Sequence, residues 1–170
     1  MTAWKDDSIQ AAREAADVLA AASDVGIATH ALIGHLAARF GAPTPEQVLG
    51  IGRAALVGPR LALPNRQAMR AQVLSLTAVY FREFARTGWH FAGREVIVDH
   101  DVALDLLWER AGALEADKLK TGRLRPADVE RLRRQVEGQL HAGQRAYGDT
   151  FAAVRAVVLT RPQTSFEVRA

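Results

Sequence analysis

Residues 103–122 read ALDLLWERAGALEADKLKTG, and the rest of the chain is interpreted outward from them. Alternation of apolar and polar side chains predicts two short strands, Ala103–Glu109 and Ala113–Lys120, joined as a hairpin through Arg110, Ala111 and Gly112. Asp105 falls inside the first strand, and the second ends in Lys-Leu-Lys-Thr-Gly. A charge in mid-strand is costly to bury, so Asp105 needs a partner, a metal or water. Side chains alternate along a strand, which sends Leu114, Ala116, Lys118 and Lys120 to one face and Glu115, Asp117 and Leu119 to the other.

Upstream, Trp89–Val98 (WHFAGREVIV) has the β-branched and aromatic content of a strand, bulged or turned at Ala92-Gly93. Glu95 reads as an exposed strand carboxylate, and His100 and Asp101 as turn residues. Downstream, Pro126 starts a helix that extends through Tyr147, with Val129, Leu132, Val136 and Leu140 on its buried face. Phe151–Leu159 is an apolar strand closed by Pro162, and Phe166–Arg169 a short edge strand.

The N-terminal half reads as helices. Ser8 caps an alanine-rich helix to Ala22 that Gly26 ends, and GIATHALIGHLAARFG forms a second. Thr44 caps a third, with Pro45 at its first position, which runs to Leu56 and is broken by Gly58-Pro59. A long helix spans Asn65 to Arg86, its apolar stripe being core, and Gly88 ends it. His30 and His35 lie five positions apart, well round the helix from one another, and do not form an adjacent metal-ligand pair.

At 170 residues and 49% hydrophobic, the chain is long enough for one sizeable core, and a single domain is expected: a mainly helical region over 1–87 and a sheet core with one basic helix over 88–170. The absence of cysteine excludes disulfides and thiolate zinc or iron–sulfur ligation. No apolar run reaches the roughly 18 residues of a membrane helix. MTAWKDDSIQ lacks a basic-then-apolar signal pattern, so a cytoplasmic protein is expected. Net charge is only +3, but the cations cluster. Lys118, Lys120, Arg123, Arg125, Arg131, Arg133 and Arg134 face only Asp128 and Glu130, so a polyanion would meet this region first. The alternative is a solvated helix face.

Asp117-Lys118-Leu119-Lys120-Thr121-Gly122 resembles the motif of the RecB-type branch of the PD-(D/E)XK nuclease superfamily, often Asp-Glu-Leu-Lys-Thr-Gly, in which the preceding strand carries an Asp. The metal-binding Glu of that motif is Lys118 here. GIATHALIGHL is similar to the Gly-Thr-x-x-His-x-x-Leu segment that opens such domains, and the resemblance covers Gly26 to about Pro162. It implies an α/β fold with a restriction-endonuclease-like core, a central mixed sheet flanked by helices, behind an N-terminal helical region. It also implies a DNA hydrolase using Mg or Mn, alone or within a larger DNA-processing or defence complex. The residues implied in catalysis are Asp105, Lys120, Lys118 and Asp117, with His30, Asp105 and Glu115 as metal ligands. Arg123, Arg134, Gln139 and Tyr147 are implied at the DNA, although the Gln-x-x-x-Tyr spacing is not kept, since Gly143 follows Gln139 by four.

Replacing the motif Glu by Lys removes a metal oxygen. An ammonium about 4 Å from a divalent ion is repelled by about 8 kcal/mol at an effective dielectric of 20. Direct pairing of Asp105 with Lys118 or Lys120 is therefore expected, unless Glu115 or Asp117 crosses to the other face through a bulge. Three readings follow: a metal-dependent nuclease with a relocated carboxylate, a catalytically degenerate nuclease fold that binds DNA or protein, and an unrelated α/β interaction module.

Overall fold

The computed structural model describes residues 3–58, 63 and 67–170, with side chains from residue 7 onward within those ranges. The chain divides into two compact units, Met1–Ala85 and Arg86–Ala170. Together they give the expected α/β composition, helices first and a mixed sheet after them.

The first unit holds α1 (Ala3–Leu19), α2 (Val25–Phe40), α3 (Pro45–Leu56) and α4 (Gln67–Glu83). Ser8 is not a cap, because α1 already runs from Ala3 and carries Ala11, Ala15 and Leu19 into the core at i, i+4 spacing. Gly26 is not a stop signal either. Asp24 caps α2 by accepting the Ile27 N–H at 2.9 Å, which places Gly26 in the first helical turn. Thr44 caps α3 with Pro45 at its first position, as the sequence predicts, and Gln47 adds the return bond of a reciprocal capping box. The break at Pro59 and the helix start at Asn65 fall outside the described residues, and α4 ends at Glu83 rather than Arg86. His35 Nε2 donates to the Ala11 carbonyl at 3.0 Å and so ties α2 to α1. No described helix is long and apolar enough to cross a membrane.

The second unit is a five-stranded sheet in the order β1-β2-β3-β4-β5, with β1 (His90–Val98), β2 (Val102–Arg110), β3 (Ala113–Lys120), β4 (Phe151–Val158) and β5 (Phe166–Arg169). Only β3 and β4 run parallel. That pairing requires a crossover, which is α5 (Pro126–Tyr147). The β2–β3 hairpin turns on Ala111 and Gly112, both at positive φ (50° and 82°), as a tight two-residue connection demands. β1 carries its bulge between Phe91 and Gly93, where the sequence places it.

α5 buries Leu132, Val136 and Leu140 against Ala116, Val154, Ala156 and Val158 on one face of the sheet. Val129, expected on that face, is 39% exposed. Gly143 is needed because a Cβ there would lie 2.3 Å from the Phe151 ring. This close approach leaves no room for a tyrosine four residues beyond Gln139.

Candidate functional site

The sheet forks at Asp105. On one side of the fork β2 stays with β1 as far as Val98↔Val102, and on the other β3 stays with β4 as far as Lys120↔Val158. Between them the β2–β3 register ends at Leu106↔Asp117. The Asp105 carboxylate fills the gap, with Oδ2 accepting the Leu119 N–H at 2.7 Å and Oδ1 accepting Lys118 Nζ at 3.0 Å. Both groups are shielded, Asp105 at 8% exposure and the Lys118 side chain at 27%. The sequence-level expectation that Asp105 pairs with a strand lysine is met, and the lysine is the one in place of the motif Glu. Lys120, also half-buried, makes no ion pair among the described residues.

The opposite face of β3 holds a buried ionic network. Asp117, 0% exposed, receives Arg86 Nη2 at 2.8 Å and Arg155 Nε and Nη2 at 2.9 Å each. Glu115 pairs with Arg86 Nη1 and, at 3.6 Å, with Arg169. Burial alone would push the Asp117 carboxyl up, but Arg155 and Arg86 outweigh it and hold the group below the usual carboxylate range. Burial would likewise lower the Arg86 guanidinium, yet Asp117 and Glu115 hold it above its ordinary value. Arg86 and Arg155 escape a reading of the motif because both lie far from it in sequence. One signal was present: a charge inside the apolar run FAAVRAVVL needs a partner of opposite sign.

These positions bear directly on divalent-ion binding. Glu115 and Asp117, the relocated ligands considered above, are committed to arginines on the face away from Asp105. Asp105 is a lone carboxylate with both oxygens engaged and an ammonium at 3.0 Å. The residues at the fork do not fit Mg or Mn, which want several oxygen ligands around the ion. No group of three or more His, Cys, Asp or Glu is gathered in a metal-holding arrangement among the described residues. His30 lies half-buried midway along α2 in the helical unit.

Of the residues implied at DNA, Arg123 and Arg134 are exposed and form no ion pair among the described residues. Arg125 and Arg131 are both spent on Asp128, at 2.9 and 2.7 Å, and Arg133 lies 4.9 Å over the Phe166 ring. Gln139 is buried and donates Nε2–H to the Ala103 carbonyl at 2.6 Å, tying α5 to β2 beside the fork rather than reaching solvent. Tyr147 is half-buried, its ring stacked on Phe151 at 6.1 Å. Both serve the α5–sheet core in this conformation. Glu95 is exposed, as its strand position suggests, but at a φ of 51°.

The chain matches none of the family models, curated proteins or solved structures with which it was compared.

Proposed function

We propose that this protein is a DNA-binding domain derived from the PD-(D/E)XK nuclease fold, in which the catalytic ion site has been replaced by an Asp–Lys pair. The observation that carries this reading is the 3.0 Å bond from Lys118 Nζ to Asp105 Oδ1, at the point where the family motif places a second carboxylate. The motif residues Asp117, Leu119, Lys120, Thr121 and Gly122 support the kinship, and the strand order with its helical crossover is compatible with it. Support for the polyanion comes from Lys120, Arg123 and Arg134, cations that no described carboxylate neutralises.

Hydrolysis with Mg or Mn would require Glu115 or Asp117 to leave its arginines and cross the sheet. Breaking a buried pair of that kind costs about 3–5 kcal/mol, so the binding reading is favoured over the enzymatic one. Fluorescence anisotropy with a labelled duplex, paired with a cleavage assay, tests it. The expected result is binding that weakens steeply with added salt and no cleavage in Mg²⁺ or Mn²⁺. Cleavage stimulated by Mn²⁺ and lost in Asp105→Ala would reinstate the enzyme. Absence of DNA binding at low salt would leave a protein-interaction module.

A further inference from the structure

We infer that the helical unit binds a small carboxylic acid with an apolar body, in the cavity where the end of α3 meets the start of α4. The site belongs to Met1–Ala85 alone and does not depend on the DNA-binding reading.

The cavity has a volume of about 380 Å³, within the roughly 300–1,000 Å³ of small-molecule sites. Arg53, in the last turn of α3, and Arg70, near the start of α4, supply its charge, and Gln67 adds a neutral hydrogen-bonding group. No carboxylate lines it, and the first turn of α4 carries none. Neither arginine makes an ion pair among the described residues.

Arg70 carries the argument furthest. It is half-buried, and its Nε–H, shut off from solvent, meets no acceptor. A buried donor left unpaired is destabilising, and a guanidinium cannot shed its proton to escape that cost. A carboxylate taken into the cavity supplies the missing counter-charge, and its two oxygens match the planar fork of a guanidinium.

The rest of the wall selects an apolar body. It is formed by Leu56, Val57 and Leu74, and Val57 is 69% exposed, so a bound acid would cover an apolar side chain that the helices leave open. The wall exists before any ligand arrives, because Gly52 lets α3 close on α4: a Cβ there would lie 2.7 Å from Leu74 Cδ1. A cavity of this size takes one small acid rather than a stretch of nucleic-acid backbone.

Isothermal titration of the 170-residue protein with octanoate, octanol, octylamine and acetate tests the site. Octanoate is expected to give a one-site isotherm. Octanol and octylamine keep the tail without the negative head, and acetate keeps the head without the tail, so each is expected to bind about tenfold more weakly or worse. Arg70→Met is expected to keep a thermal midpoint no lower than that of wild type, since its Nε has no bond to lose, and to bind octanoate about tenfold more weakly. Arg53→Gln, at an exposed position, is expected to weaken octanoate several-fold and decides the matter if Arg70→Met does not fold. No saturable heat from octanoate, equal affinity for octanoate and octanol or for octanoate and acetate, or wild-type affinity in the arginine variants would overturn the site.

Discussion

Arg155 grips both oxygens of Asp117 at 2.9 Å across the parallel pairing of β3 and β4, where the two residues are direct partners in the register. The pair sits on the sheet face away from Lys118, and it accounts for the one fully buried carboxylate in this unit. Arg155→Met should therefore destabilise the protein although it removes no apolar contact. Arg86 still holds Asp117, so a loss of about 3 kcal/mol is expected, at the low end for a broken buried pair. Urea denaturation monitored by circular dichroism measures it.

The same network sets how stability depends on pH. The folded Asp117 carboxyl is held below its unfolded value, which lies near 4. Its contribution is complete above that unfolded value and is lost as pH falls through it toward the folded value. Arg86 is shifted upward, so its contribution is present throughout the range below its unfolded value. Unfolding free energy should be flat from neutrality to about pH 5 and decline below about pH 4. Asp117→Asn should be less stable at neutral pH and show a shallower acid decline, which denaturation curves at a series of pH values would reveal.

Asp105→Asn separates an ion pair from a metal ligand by the sign of its effect. The amide oxygen still accepts the Leu119 N–H, while the negative charge beside Lys118 disappears. Tighter DNA binding at low salt is expected, with no dependence on divalent ions. A variant that bound less well only when Mg²⁺ was present would point back to a coordinated ion.

Ala111 sits at a φ of 50° in the β2–β3 turn, a conformation that favours Asn or Gly. Ala111→Asn should stabilise the domain by about 0.5–1 kcal/mol, read as a higher thermal midpoint, with DNA affinity unchanged. A lower midpoint would mean that the hairpin does not turn on these two residues.

Local signals carried most of the fold. The alternation of Ala113–Lys120, the Pro126 start of α5 and the Thr44-Pro45 start of α3 are each readable within one turn or strand, and each falls where the pattern puts it. Errors arose where a neighbour in sequence was the wrong guide. Gly26 resembles a helix stop until Asp24 is recognised as the stronger start, and Ser8 resembles a cap in a sequence whose helix begins earlier. Within the candidate site, strand parity put Lys118 and Lys120 on one face and the family resemblance put Asp105 beside them, while the choice of Lys118 over Lys120 came only with the register of β2 against β3. Parity also put Glu115 and Asp117 on the opposite face, but their partners Arg86, Arg155 and Arg169 come from distant segments that no pattern in the motif reports. Gln139, which the resemblance assigns to DNA, instead bonds the Ala103 carbonyl, a role that depends on how α5 crosses β2.

Isothermal titration of Mn²⁺ into wild type and Lys118→Glu bears most directly on the Asp105–Lys118 pair. No binding heat is expected from wild type, and a saturable one-site isotherm from Lys118→Glu, in which the ammonium gives way to a second carboxylate. One-site Mn²⁺ binding by the wild-type protein that vanished in Asp105→Ala would contradict the account.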